Sequence, residues 1–182
     1  MGLVATLRVC AWSPGGMRVD ESQLRAVRER LRVDGLLPPR PAVVALHALG
    51  EVDPTHVIAS ATWDGTREHS AVTWQLLART GTGLVVVTAS ADAPWQWQHH
   101  RDAEPVGAVL SARRFPLSRI VSVGVTDVRL WDDQSLSLTD LTAHHSWMLT
   151  VEGEPPILVE PDGQETTPQS HRAFFEKLME AL

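Results

Sequence analysis

The chain has few of the residues that cross-link, anchor or export a protein. Cys10 is the only cysteine among its 182 residues, which excludes an intrachain disulfide and a structural zinc cluster made of cysteines. No stretch has the apolar length that a membrane-spanning helix requires, so we expect no stable membrane insertion. Residues 1–9 contain neither a basic leader nor a long apolar run, and so do not resemble a signal peptide. These absences predict a soluble, cytoplasmic protein.

Lysine is nearly absent, and the overall charge is negative. Lys177 is the only lysine, the other 15 of the 16 basic residues being arginine, and the formal net charge is −6. A general nucleic-acid binder needs a basic surface, so this charge argues against a nucleic-acid partner. Residues 1–40 contain seven arginines and four acidic side chains, a net of +3, which leaves −9 for residues 41–182. We therefore expect the basic N-terminal segment to pack against the acidic remainder.

The sequence also lacks the motifs of common catalytic and nucleotide-binding sites. The nucleophile motif Gly-x-Ser-x-Gly does not occur. Gly81 and Gly83 match the first two glycines of a dinucleotide-binding loop, but Val86 stands where the third is required, and a strand follows instead of a helix. Asp132-Asp133 is better explained as a turn than as a pair of catalytic carboxylates. We therefore predict that the protein is not an enzyme and uses no cofactor.

What the chain does contain is a strong hairpin pattern over residues 72–90. Alternate residues from Val72 to Ala78 are apolar, as in a strand with one buried face. Residues 84–87 form a continuous apolar run, which is typical of a more deeply buried strand. Gly81 and Gly83 at the tip are expected to supply the positive φ angles of a tight turn.

Other strand patterns follow the hairpin, and helix patterns stand at both ends of the chain. Period-two patterns predict further strands at 57–63, 106–112, 121–131 with a kink at Asp127, 136–138, 147–151 and 157–159. A C-terminal helix is predicted from Pro168 to Leu182, with Phe174 and Phe175 on its apolar side. Towards the N-terminus we predict a strand at 3–9, a helix capped by Asp20 with Gln23 completing a capping box, a stiff proline linker at 38–41 and a helix at 41–49.

Seven or eight short strands followed by a single amphipathic helix are an unusual order. The hairpin Trp74–Ser90, the segment 115–123, the strand Trp147–Val151 and the helix Pro168–Leu182 together resemble the pleckstrin-homology (PH-like) superfold, especially its small bacterial members, over about residues 55–182. The resemblance implies an α+β fold: a bent antiparallel sheet, or partly open seven-stranded barrel, capped by the C-terminal helix. We accordingly divide the chain into an N-terminal helical arm and linker, residues 1–50, and a PH-like barrel, residues 51–182.

The same resemblance bears on lipid binding. Lipid-binding members of the superfold use basic residues around the first hairpin loop. We assign that loop to Thr80–Gly83, where Arg79 is the only basic neighbour, and this argues against phosphoinositide binding. Other members bind peptides or proteins, or have structural roles, and a shared fold does not choose between these functions.

One basic cluster stands out in the predicted barrel. Arg113, Arg114 and Arg119 flank Pro116 near the end of a strand, where they are candidates for binding an acidic peptide, a phosphate or a lipid headgroup. Charged residues at a sheet edge also discourage strand pairing between chains, and we favour that ordinary role. A lipid- or anionic-ligand-binding module is the second functional hypothesis.

Two histidine pairs, at 99–100 and 144–145, are the only histidine clusters. Neighbouring residues on a strand point in opposite directions, so each pair would supply at most one metal ligand. A metal site would also need the two loops to meet beside an aspartate. We favour solvated loop histidines, and a metal-dependent hydrolase is the most distant alternative.

Trp95 and Trp97 are the best candidates for a binding site. They lie two residues apart in the least regular segment, residues 91–104. Aromatic residues on a loop commonly anchor a partner, but a long loop can also fold its own aromatics down as a lid. Both interpretations stay open. The leading hypothesis is a non-catalytic protein-binding or scaffolding module, whose partner is another protein or a second copy of the chain.

Overall fold

The computed structural model describes residues 20–50, 52–66, 69–93, 106–131, 142–160 and 168–182. The helices in these ranges are α1 (Glu21–Arg30), α2 (Arg40–Leu49) and α3 (Pro168–Met179). The strands are β1 (Val57–Trp63), β2 (Val72–Thr80), β3 (Gly83–Ala91), β4 (Gly107–Pro116), β5 (Ile120–Trp131), β6 (Thr142–Val151) and β7 (Ile157–Val159). Single 3₁₀ turns at Pro54–His56 and Leu117–Arg119 precede β1 and β5. The strands predicted at 3–9 and 136–138 lie outside the described residues.

The seven strands form two antiparallel sheets. The first sheet has the order β1-β2-β3-β4 and the second sheet the order β5-β6-β7. The predicted antiparallel strands and C-terminal helix are therefore confirmed, whereas two sheets replace the single bent sheet. The chain leaves the first sheet at Pro116, turns through Leu117–Arg119, and pairs β5 with β6. Among the described strands no pairing joins β4 to β5 or β1 to β7, so these strands do not close into a barrel.

The first sheet is the middle layer of the molecule, because both of its faces are buried. One face packs against α1 and α2 around Trp74, Leu76 and Val85. The other face packs against the second sheet and α3 around Leu77 and Val86. Burial on both sides explains why β3 is apolar at consecutive positions, whereas a half-exposed strand would alternate.

The N-terminal helices form through signals close to their ends. The Asp20 carboxylate accepts a hydrogen bond from the Ser22 backbone N–H at 2.9 Å, which confirms the predicted cap of α1. The Gln23 amide nitrogen donates to the Val52 carbonyl at 3.4 Å, whereas a capping box requires the Gln23 side chain to accept from the Asp20 backbone N–H. The expected proline linker is the start of α2: this helix begins at Arg40, with Pro41 in its first turn, where a missing N–H costs nothing.

The contact of these helices with the first sheet is apolar. Leu24, Val27 and Leu46 are among the buried residues of this cluster. Arg40 pairs with Glu21, a residue of the neighbouring helix. The expected packing of the N-terminal segment is thus seen for residues 20–49, and it is achieved through burial of apolar side chains.

Helix α3 closes the second core cluster. Phe175 is fully buried and stacks on Trp147 of β6, with ring centroids 4.6 Å apart and an interplanar angle of 20°. Phe174 meets Phe175 edge to face at 5.4 Å. The aromatic side predicted for this helix is confirmed.

The tip of the β2–β3 hairpin is built differently from the prediction. Neither Gly81 nor Gly83 has a positive φ angle, so the expected left-handed turn is wrong. Gly83 is needed for a steric reason instead: a Cβ there would overlap the Phe115 carbonyl oxygen and lie 3.3 Å from its carbonyl carbon. The kink predicted at Asp127 is confirmed by its φ of 51° and by a shift of the β5–β6 register between Thr126 and Arg129.

Candidate functional site

Two of the three arginines of the predicted basic cluster contact the turn between β6 and β7, and the third contacts the turn between β2 and β3. Arg113 and Arg114 are neighbours on β4, and the pleat sends their side chains to opposite faces of the first sheet. Arg113 pairs with Glu154 and lines a cavity of about 210 Å³. Arg114 donates to the Thr82 hydroxyl, and Arg119 donates to the Glu152 carbonyl. The structure therefore does not bring the three together, and their role in ligand binding stays a prediction.

The predicted tryptophan and histidine sites fall largely outside the described residues. Trp95, Trp97 and the histidine pair at 99–100 all lie in the segment 94–105, so their roles stay predictions. His145 of β6 is described, and its ring meets Trp147 edge to face at 5.2 Å. In the part of the chain that the structure describes, no three His, Cys, Asp or Glu side chains come together as a metal site.

His171 of α3 is the one buried titratable side chain among the described residues. Its side chain is 6% exposed, and its Nε2–H donates to the Ala59 carbonyl at 2.9 Å. Burial lowers the pKa of His171, the hydrogen bond to Ala59 acts in the opposite direction, and the charge of His145 lowers it further. His171 is thus a neutral donor that ties α3 to β1.

A candidate interaction surface lies on β4 and β5. These strands are consecutive in the sequence, and each is an edge strand of its own sheet. Each pairs with only one neighbour among the described strands. Ten large apolar residues are exposed in the described ranges, and six of them lie on or directly before these two strands. The six are Val106, Val109, Leu110, Val121, Val125 and Val128. Exposed apolar groups at unpaired strand edges are typical of surfaces that receive another strand.

The β5 edge is the less protected of the two. β4 carries two arginines and ends in a proline. Its pairing with β3 is also irregular, because the register shifts between Thr88 and Ala89 of β3. From Ile120 to Thr126, β5 contains no charged residue and no proline. Its side chains Val121 and Val125 are 66% and 52% exposed. Natural edge strands usually carry charges or prolines that prevent pairing, so this stretch departs from the common pattern.

A second candidate site is a cavity beside the β2–β3 turn. It has a volume of about 740 Å³ and is lined by Arg79, Arg114, Thr82, His56, Gln23 and Asp53, among others. Sequence reasoning assigned this turn to the first hairpin loop. That assignment is wrong, because β1 pairs with β2 and the first hairpin loop is therefore 64–71, which includes Arg67. The scarcity of basic residues at Thr80–Gly83 therefore has no bearing on lipid binding at the first hairpin loop, which lies at the other end of the sheet.

Neither candidate surface was predicted, and the sequence contained a signal only for the β5 edge. The uncharged run of β5 was visible, but alternation shows only which residues share a face and says nothing about which strand has a missing neighbour. Arg79 and Arg114 are 35 positions apart in sequence, and the register of β2, β3 and β4 brings both to the same end of the sheet.

Comparison of the chain with protein-family models, with curated proteins and with solved structures finds no significant match in any of the three. None of the described helices is both long enough and apolar enough to cross a bilayer.

Proposed function

We propose that the chain is a non-catalytic self-association module of the PH-like superfold. The superfold assignment is supported by seven antiparallel strands followed by α3, although the strands form two sheets where the resemblance implies one bent sheet. A fold by itself does not indicate a function. The functional proposal therefore depends on one observation, the uncharged and exposed edge of β5.

The β5 edge is complementary to itself. An antiparallel copy centred on Gly124 places Val123 opposite Val125 and Ser122 opposite Thr126. Apolar side chains then meet on one face and small hydroxyl side chains on the other, and each backbone edge supplies the other's hydrogen-bond partners. Two second sheets joined in this way form one continuous six-stranded sheet across the dimer.

The register limits how far this pairing extends. The β5–β6 ladder shifts between Ile120 and Ser122 and again between Thr126 and Arg129, so the regular stretch is Ser122–Thr126. A strand pair of this length buries less than the roughly 1,600 Å² of a standard interface, so we expect a weak dimer whose population depends on concentration.

Gly124 offers a clean test because it is central to the pairing and unimportant for the fold. A Cβ at Gly124 has no neighbour within 4 Å, and its φ is not positive. Gly124→Lys therefore leaves the monomer intact but places two ammonium groups opposite each other at the dimer axis, which is destabilising. Sedimentation velocity over a concentration series should show a dimer for the wild type and a monomer for this variant.

Two further variants distinguish β5 pairing from a general effect of charge. Gly81→Lys adds the same charge at another position without a neighbour within 4 Å, and it should leave the dimer unchanged. Gly124→Glu should also be monomeric, but mixing it with Gly124→Lys should restore a mixed dimer through opposite charges at the axis. A wild type that stays monomeric at all concentrations would contradict the proposal, as would a mixture of the two Gly124 variants that fails to associate.

A further inference from the structure

The cavity beside the β2–β3 turn is distinct from the β5 edge and gathers positive charge in an acidic chain. Its volume of about 740 Å³ falls within the range of about 300–1,000 Å³ that is usual for small-molecule sites. Arg79 extends from β2 and Arg114 from β4, and Thr82 lies at the turn between β2 and β3. The chain as a whole has a net charge of −6, so the two arginines make the charge of this cavity more positive than that of the whole chain.

These two arginines differ from the ion-paired arginines of the described residues. Each of the latter has a carboxylate partner: Arg32 with Glu29, Arg40 with Glu21, Arg113 with Glu154 and Arg172 with Glu176. Arg79 instead donates through Nη1 to the Lys177 carbonyl at 2.8 Å, and Arg114 donates to the Thr82 hydroxyl. Neither forms an ion pair with a described carboxylate. Both guanidinium groups therefore keep their full charge and most of their donors for a ligand.

Asp53 is the one acidic residue among the described residues that line the cavity. Its Oδ1 accepts hydrogen bonds from the backbone N–H and the hydroxyl of Thr55, at 2.8 and 2.7 Å. Its Oδ2 lies 3.6 Å from Nδ1 of His56. The two hydrogen bonds from Thr55 hold the pKa of Asp53 below its ordinary value, and nearby His56 and Lys177 lower it further. This carboxylate is thus bound within the turn before β1 through its contacts with Thr55 and His56.

We infer that this cavity binds a phosphate group. Guanidinium groups bind phosphate through paired N–H donors, and the Thr82 hydroxyl and Gln23 amide add neutral donors around the same space. A phosphate group can arrive on a soluble phosphate ester or on an anionic lipid headgroup, and the two sources share this chemistry. The site lies at the opposite end of the first sheet from the loop 64–71 and uses Arg114 without Arg113 or Arg119.

The test uses inorganic pyrophosphate as the probe and the Nε–Hε signals of the arginines as the readout. Titration should shift the Arg79 and Arg114 signals in a saturable way and leave that of Arg113 in place. Arg114→Gln should weaken pyrophosphate binding by about tenfold or more, because a charge-assisted hydrogen bond is lost. Arg113→Gln is the matched control: it makes the same change at the adjacent position on the opposite face, and binding should stay within about twofold of the wild type.

Arg79→Gln should also weaken binding, but it removes the hydrogen bond to the Lys177 carbonyl. Its thermal unfolding is therefore measured beside that of Arg114→Gln, which has no such contact with α3. Cosedimentation with vesicles of phosphatidylcholine and phosphatidylserine separates the two sources. Binding to these vesicles that requires Arg114 indicates a headgroup, and binding of pyrophosphate alone indicates a soluble ester. The inference is overturned if neither probe binds saturably, or if Arg113→Gln weakens binding as much as Arg114→Gln.

Discussion

The close approach of Gly83 to the backbone of β4 leaves no room for a side chain, and the substitution Gly83→Ala tests this. In Gly83→Ala the new Cβ would overlap the Phe115 carbonyl oxygen and lie 3.3 Å from the carbonyl carbon and 3.5 Å from the Cα of Pro116. All three are backbone atoms of β4, so no side chain can rotate away, and the β3–β4 pairing itself must shift. Overpacking in a close-packed region costs about 1–3 kcal/mol, and the rigid neighbours place this variant near the upper end. A chain of this size loses about 2–4 °C of Tm per kcal/mol, so a cost of about 3 kcal/mol lowers Tm by about 6–12 °C.

Gly81→Ala provides the comparison within the same turn. A Cβ there has no neighbour within 4 Å, and the φ angle is not positive, so this variant should be neutral or more stable by up to about 1 kcal/mol. Urea unfolding followed by tryptophan fluorescence measures both variants, and equal m-values would show that the unfolded states are comparable. A difference of less than about 1 kcal/mol between the two would refute the steric argument.

Two further predictions concern α3. Phe175→Ala should lower the free energy of unfolding by about 3–5 kcal/mol, because it removes a fully buried ring stacked on Trp147. Met179 lies on the same helix and is 44% exposed, so Met179→Ala should change the free energy of unfolding by less than about 0.5 kcal/mol. Urea unfolding measures both variants, and a larger effect for Met179→Ala than for Phe175→Ala would contradict the packing of α3. Because burial lowers the pKa of His171 below 6.5, the unfolded chain takes up a proton that the folded chain does not as the pH falls below that value. Stability should therefore be independent of this group above pH 6.5 and decrease below it, and His171→Gln should show a smaller decrease in urea midpoints between about pH 7.5 and 5.5.

The elements that sequence reasoning located correctly have signals within their own residues. The alternation at 57–63, the β-branched run of β3 and the aromatic side of α3 are all local patterns, and each element forms where predicted. The division into two sheets has no local signal. It depends on whether β5 pairs with β4 or with β6, and a strand pattern reports which residues share a face without identifying the neighbouring strand.

The side chains of the candidate sites were likewise only partly predictable from the sequence. Val121, Val123 and Val125 alternate as a buried strand would, yet only Val123 packs against the second core cluster, and Val121 and Val125 are exposed. The separation of Arg113 from Arg114 was predictable, since the pleat places adjacent residues on opposite faces. The approach of Arg79 to Arg114 was not, because it needs the register of three strands.

The position of the first sheet between two apolar clusters has a consequence for the order of synthesis. The cluster on the α1 and α2 side uses residues between Leu24 and Ala112, so it is complete once β4 has been made. The cluster on the opposite face requires Phe174, Phe175 and Leu178, which are translated roughly sixty residues later, or several seconds at about 5–20 residues per second. Until the second sheet and α3 have been made, Leu77, Leu84 and Val86 lack the side chains that cover them in the folded protein. A nascent chain of this protein is therefore most exposed to misassociation after its first half has folded, and the last helix ends that exposure.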